Sequence, residues 1–183
     1  MAPKRAARLL GAVEESLRSI DGLSGVVLHS CFQMTNLLRT APLIKQAGIN
    51  AGAVQADLPM PMVDTRDVAA AAAGYLTTPH FTGWQVRDLL GPREYTHREA
   101  TAILGAAIGH PNLPYVEWPY DVYRQNLLKA GFSASAADTL VQTWVVVNDG
   151  PGNTYPARSA HNTTPTTLEA FARETFAPDF SAA

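Results

Sequence analysis

What this chain lacks narrows its reading before any motif is considered. It holds a single cysteine, Cys31, so no internal disulfide can staple it, and a reducing compartment, the cytoplasm, is the expectation. Charged residues make up only 16% and sum to a formal net charge of −2. That balance offers no basic surface and argues against nucleic acid as a partner; a small molecule fits better. No stretch of about twenty uninterrupted apolar residues occurs, so no membrane-spanning helix is expected. The run Leu9-Leu10-Gly11-Ala12-Val13 after Lys4, Arg5 and Arg8 imitates a secretion signal, but Glu14 and Glu15 cut it short. With 46% hydrophobic residues among 183, the chain can bury a core of about one domain.

Several chemical signatures are missing as well. Gly22 and Gly25 have no third glycine at the spacing that lets backbone N–H groups cradle a pyrophosphate, and no Gly-Lys-Ser/Thr follows any strand. No Tyr-x-x-x-Lys pair exists: Tyr120 is followed four residues later by Arg124, and Tyr123 by Leu127. A tyrosine proton donor held by a lysine is therefore not available by that route. The histidines His29, His80, His97, His110 and His161 are scattered, without His-Glu-x-x-His or a cysteine cluster, so no metal site is expected. All but His29 read as loop or cap residues.

What is present reads as alternating helices and strands. Leu9, Leu10, Val13, Leu17 and Ile20 fall on one face of a helix from Ala7 to Ile20, which needs a sheet to cover. Val26-Val27-Leu28 is short, apolar and β-branched, as in a strand buried on both faces. The mixed run Cys31 to Leu38, a short helix Pro42 to Ala47 stopped by Gly48, and a loop from Asn50 to Pro59 come next. A strand through Pro61-Met62-Val63 then turns into an alanine-rich helix, with Asp64 or Thr65 accepting from free N–H groups of its first turn. Asp67 suits the positive end of that helix. Trp84 to Leu89 predicts a strand, and Thr96-His97-Arg98-Glu99 has capping-box spacing before a helix closed by Gly109. Tyr115 to Trp118 is a short strand, and helices over Asp121 to Ala130 and Ala134 to Asn148 flank Gly131. Thr166-Thr167-Leu168-Glu169 repeats the capping pattern before a helix with Leu168, Phe171, Ala172 and Phe176 on one face.

Candidate functional residues follow from position. His29 stands at the carboxyl end of the predicted strand Val26–Leu28, where open α/β sheets place their ligands. Cys31 is next in the same loop; a thiol there reads as a small buried hydrophobe unless a neighbour lowers its pKa. Phe32, Met34, Leu37 and Leu38 with Asn36 compose an apolar wall carrying one amide, which is either core packing or one side of a small-molecule pocket. Trp118, Pro119, Tyr120 and Tyr123 form an aromatic cluster at a strand-to-helix junction, a packing element or a lid over a flat ring. Asp64, Arg66 and Asp67 read as a cap with a local ion pair.

The chain resembles the NmrA-like group of atypical short-chain dehydrogenases. The segment Leu28-His29-Ser30-Cys31-Phe32-Gln33-Met34-Thr35-Asn36-Leu37-Leu38 keeps the frame of that family's Leu-Arg-Pro, two residues, Phe-Met-Glu-Asn-Leu-Leu, with His29 and Ser30 for Arg and Pro and Thr35 for the acid. Pro61-Met62-Val63-Asp64-Thr65-Arg66-Asp67-Val68-Ala69 is similar to its Pro-Met-Ile-x-Thr-Arg-Asp-Ile-Ala. Leu90-Gly91-Pro92-Arg93-Glu94-Tyr95-Thr96 is similar to its Leu-Gly-Pro-Arg-Asp-Tyr-Thr, and Asn162 to Glu169 to its tail.

The resemblance implies an α/β fold: the carboxyl-terminal part of a Rossmann-like parallel sheet with a small, mostly helical substrate domain, the amino-terminal dinucleotide-binding half being absent. Residues 1–80 would carry late strands and helices of the sheet, 81–165 the substrate subdomain and 166–183 a closing helix. It implies NAD(P)H as cofactor, weakly bound or unbound by this chain alone, and hydride transfer in the complete protein to a small flat acceptor such as a quinone. The alternative is a non-catalytic dinucleotide-sensing or protein-binding module. By position, His29, Ser30, Cys31 and Phe32 would lie beside the nicotinamide, and Met34, Asn36, Trp118, Tyr120 and Tyr123 beside the substrate. A sheet edge left open by absent strands would offer a route to self-association.

Overall fold

The computed structural model describes residues 5–78, 81–150 and 155–182, with only the backbone of residues 5–10. His80 lies outside the described residues. Helix α1 (Arg5–Arg18) leads to strand β1 (Gly25–Ser30), β2 (Phe32–Gln33), a 3-10 turn (Met34–Thr40) and α2 (Ala41–Ala47). Then come β3 (Asn50–Gly52), β4 (Met60–Val63), α3 (Thr65–Thr77), β5 (Trp84–Leu89), β6 (Glu94–Tyr95) and α4 (His97–Ala107). Strand β7 (Tyr115–Glu117), α5 (Tyr120–Lys129), α6 (Ala134–Asn148), α7 (Leu168–Phe171), a π turn (Ala172–Phe176) and α8 (Ala177–Ala182) complete the order.

The helix starts follow from side-chain capping. Asp64, 1% exposed, accepts from the Arg66 amide at 2.8 Å. Thr96, Ser133 and Thr167 do the same for the amides of Glu99, Ala136 and Ala170, each satisfying one free N–H of a first turn. Thr167, rather than Thr166, caps the last helical segment. Thr166 is occupied elsewhere, its amide and hydroxyl both donating to Asp67. The reciprocal half of the box at Thr96 gives way to an ion pair, Glu99 with Arg93 at 2.7 Å. Arg66 pairs with Asp64 at 2.9 Å and reaches Glu174 at 3.2 Å, so the cap and local ion pair both form.

Three short sheets tie the chain together. β1 runs parallel to β5 from Gly25 opposite Trp84 to Ser30 opposite Leu89. At Cys31 the backbone leaves that partner, and β2 runs parallel to β4, which also pairs antiparallel with β6. β3 runs parallel to β7. Every sheet thus joins a strand before residue 80 to one after it, and a boundary at residue 80 runs between paired strands.

Three expectations need correction. The segment expected as loop from Asn50 opens as β3, because pairing with β7 supplies the ladder that Asn-Ala-Gly could not advertise through propensity. Val26 to Leu28 are half-buried rather than enclosed, since β1 has one strand neighbour among the described residues. The stripe of α1 is open: Val13, Leu17 and Ile20 are 57%, 44% and 53% exposed. That helix meets the body through α6 and through Glu14, whose carboxylate sits 2.8 Å from His29 Nε2, instead of laying its stripe on β1.

The main core gathers Met34, Met60, Met62, Tyr95, Leu104, Leu168, Phe171 and Phe176 between the 3-10 turn, β4, α4 and the carboxyl-terminal helix. In the π turn the Ala177 amide bonds the Ala172 carbonyl, five residues back, and Phe171, Ala172 and Phe176 are all fully buried in the core. Cys31, Val63, Leu89 and Leu90 make a smaller cluster where β1 passes into β2.

Candidate functional site

A cleft of about 650 Å³ opens between β2, β3, β7 and the pair α5 and α6. Its wall is aromatic. Phe32 at the start of β2 meets the His97 ring edge-on at 5.4 Å between centroids and the Trp144 ring at 6.2 Å. His97 lies 5.6 Å from Tyr115 and 6.0 Å from Trp144. Trp118 and Tyr123 add to the lining from the β7 to α5 junction, and Asn36 supplies an amide from the 3-10 turn.

Local structure places each of these rings. His97 is the first residue of α4, and the Thr96 cap holds it where the helix begins. Tyr115 donates its hydroxyl to the Val54 carbonyl at 3.0 Å, and burial pushes its phenol well above the ordinary range. Trp144 donates from Nε1 to the Tyr123 hydroxyl oxygen at 3.1 Å, which fastens α6 to α5. Asn148 in α6 donates to the Ala53 carbonyl at 2.8 Å and to the Tyr120 hydroxyl at 2.9 Å, and accepts from the Gln55 amide at 3.0 Å. The helical flank and the segment just after β3 are thereby locked against each other.

The electrostatics of the cleft are one-sided. Among the described residues, Arg39 and Lys129 are the charged residues along its wall, both exposed, and no Asp or Glu joins them. Deeper in, His97 is 6% exposed, and burial holds its imidazole down at about 4, so it is neutral at physiological pH. Its Nδ1 and the Oδ1 of Asn50 are buried without a hydrogen-bond partner.

Of the residues singled out in the sequence, Phe32, Asn36, Leu37, Trp118 and Tyr123 are brought together in this cleft. The others are not. Met34 is fully buried in the main core. Tyr120 faces outward and accepts from Asn148. His29 lies within β1 opposite Asp88, not beyond the strand's end, because the pairing with β5 continues through Ser30. Ser30 is exposed and accepts from Gln33 at 3.3 Å.

Cys31 is 7% exposed, and burial pushes its thiol up to about 11, which removes it as a nucleophile. It sits near a second hollow of about 450 Å³ bounded by Pro61, Leu90, Tyr155 and Arg158. Among the described residues no group of three His, Cys, Asp or Glu side chains could hold a metal, and no helix is long and apolar enough to cross a membrane.

Sequence reasoning missed His97, Asn50, Tyr115 and Trp144. Spacing marks Thr96 as a cap but does not say that the next side chain turns inward. Trp144 is hidden in a helix apolar on most sides. Asn50 is legible only once β3 is known to be a strand.

No known family profile matches the chain. A relative from Streptomyces griseus, a (4-alkanoyl-5-oxo-2,5-dihydrofuran-3-yl)methyl phosphate reductase, is 36% identical over 110 residues, 60% of this chain and 38% of the relative. Among solved structures, a nucleoside-diphosphate-sugar epimerase from Staphylococcus aureus superposes with a TM-score of 0.66 at 19% identity, over 92% of this chain and 56% of the epimerase. An NADPH-dependent quinone oxidoreductase from Escherichia coli gives 0.63 at 22%, over 78% and 51%. A Citrobacter triphenylmethane reductase in complex with NADP(H) gives 0.58 at 15%, over 79% and 48%. The chain spans about half the length of these structures and 38% of the Streptomyces relative. Its fold is that of the corresponding part of these reductases and this epimerase, as the motif resemblance implies. The sequence holds no Gly-rich phosphate turn.

Proposed function

We propose that this chain is the acceptor-binding part of an NmrA-like, NAD(P)H-dependent oxidoreductase, and that its cleft receives a flat conjugated acceptor such as a quinone or an unsaturated lactone. The aromatic lining carries this reading. Phe32, Tyr115, Trp118, Tyr123 and Trp144 around one cleft suit stacking on a planar ring far better than solvating a sugar. Flat conjugated acceptors are common to the quinone, dye and furanone reductases whose fold or sequence the chain shares.

Arg39 and Lys129, with no acidic residue along the wall, suit an anionic substituent such as the phosphate of the Streptomyces relative's substrate. The segment His29, Ser30, Cys31 and Phe32 is the part proposed to flank a nicotinamide. Phe32 would then be the residue common to both ligands. The diphosphate grip must come from residues other than these 183, and the chain alone is expected to bind NADPH weakly or not at all.

Titration of the purified chain with menadione and with an unsaturated lactone, followed by quenching of tryptophan fluorescence, tests the reading. Micromolar binding that weakens at least tenfold in Trp144→Ala is the expected result. No binding of either compound up to millimolar concentration would overturn it.

The lack of a Tyr-x-x-x-Lys pair in the sequence favours a second reading, a dinucleotide-sensing module without turnover. A full-length relative that oxidises NADPH in the presence of quinones would refute it.

A further inference from the structure

Two polar side chains on the cleft wall are almost completely buried and incompletely satisfied. Asn50 is 1% exposed and His97 6%, both line the cleft, and neither Asn50 Oδ1 nor His97 Nδ1 has a partner among the described residues. Interiors rarely tolerate this, because a buried acceptor left dry loses its hydration and gets nothing in return.

The orientation of the amide is fixed by its neighbour. The Thr101 hydroxyl spends its proton on the His97 carbonyl at 2.8 Å, so its oxygen can only accept from Asn50. The group facing it at 2.8 Å must then be the NH2. What remains, Oδ1, is a pure acceptor. His97 is constrained differently. Rings of Phe32, Tyr115 and Trp144 surround it, and the desolvated imidazole is neutral, with one nitrogen bearing hydrogen.

We propose that Asn50 and His97 form a recognition point for a hydroxyl group carried on the flat ring that the cleft receives. A hydroxyl has one proton to give and lone pairs with which to accept, which matches an amide oxygen that only accepts and an imidazole N–H that donates. An ether or a bare carbonyl could take the imidazole hydrogen but would leave Asn50 Oδ1 dry. A phenol, an enol or a hydroquinone satisfies both. The inference deepens the acceptor-site reading and rests on it: with a quinone as acceptor, the hydroquinone product would be held more tightly than the quinone.

The test uses three probes of similar flat area, naphthalene, 1-methoxynaphthalene and 1-naphthol, titrated into the purified chain with calorimetric or fluorescence readout. The naphthol is expected to bind about tenfold tighter than the other two. Asn50→Leu should erase that preference and His97→Phe should reduce it severalfold, the preference being read within each variant as the ratio of naphthol to naphthalene affinity, which a merely structural role would not move. Should Asn50→Leu fail to fold, His97→Phe decides: a retained tenfold preference overturns the inference. Equal affinity of all three probes in the unmodified protein, as when the corner holds only water, overturns it while leaving the acceptor-site reading intact. Failure of all three to bind removes both.

Discussion

The Asp67 carboxylate holds both the backbone N–H and the hydroxyl of Thr166, at 2.9 and 2.8 Å, across 99 positions of sequence. It thereby ties the first turn of α3 to the segment that launches the carboxyl-terminal helix. Two bonds to an ionised acceptor are worth more than neutral ones, and Asp67 also sits at the positive end of its own helix. Asp67→Ala should cost about 2 kcal/mol, seen as a lower urea midpoint with an unchanged slope. Asp67→Asn, which keeps one acceptor oxygen, should cost about half as much.

Glycine substitutions should have opposite signs at two positions. A Cβ on Gly91 would overlap the Met62 carbonyl oxygen and stand 2.8 Å from its carbon, so the backbones at the end of β5 and along β4 can lie this close only without a side chain. Gly91→Ala should destabilise by more than about 3 kcal/mol, because backbone rather than a flexible side chain must move. Gly74, inside α3 with nothing near its missing Cβ, should gain about 0.5 to 1 kcal/mol on Gly74→Ala from helix propensity. Thermal melts of the two variants check both signs.

His97 makes stability depend on pH in a defined window. Its folded value of about 4 lies below the unfolded value of 6.5, so between these limits the unfolded chain binds a proton that the folded chain refuses. The contribution is fully favourable above about 6.5 and is lost as pH falls towards 4, by about 3 kcal/mol at most. Denaturant unfolding at pH 7 and at pH 4.5 should show this loss, and His97→Phe should flatten that part of the profile. An equal slope in the variant would assign the loss to carboxylates instead.

Cys31 should behave as core. With its thiol buried and pushed up to about 11, it should resist a disulfide-exchange reagent at pH 8 in the folded chain and react at the ordinary rate in denaturant. Rapid labelling of the native protein would contradict the burial.

Patterns carried by covalent neighbours were legible in the sequence. The alanine-rich helix with its Asp64 cap, the strand from Trp84 to Leu89, the Thr96 cap and the helix break at Gly131 all declare themselves within a few residues, through propensity and capping chemistry. The short strands β2, β3 and β6 do not, since two or three residues carry no period and exist only because a distant strand completes their ladder. The same limit governs the cleft. Phe32, Asn36, Trp118 and Tyr123 could be picked out as apolar or aromatic clusters. His97 and Trp144 enter through tertiary direction alone, and the orphan atom of Asn50 through a bond to Thr101 fifty-one positions on.

The way the sheets are laced has a consequence for biogenesis. β1, β3 and β4 each wait for a strand from beyond residue 83, while β2 can pair only with β4, so during synthesis the leading portion leaves the ribosome with most of its ladders incomplete. Such long sequence separations slow folding and leave a nascent intermediate for chaperones to guard. Cutting the polypeptide between α3 and β5 should yield two insoluble pieces apart and a soluble product only when both are made together.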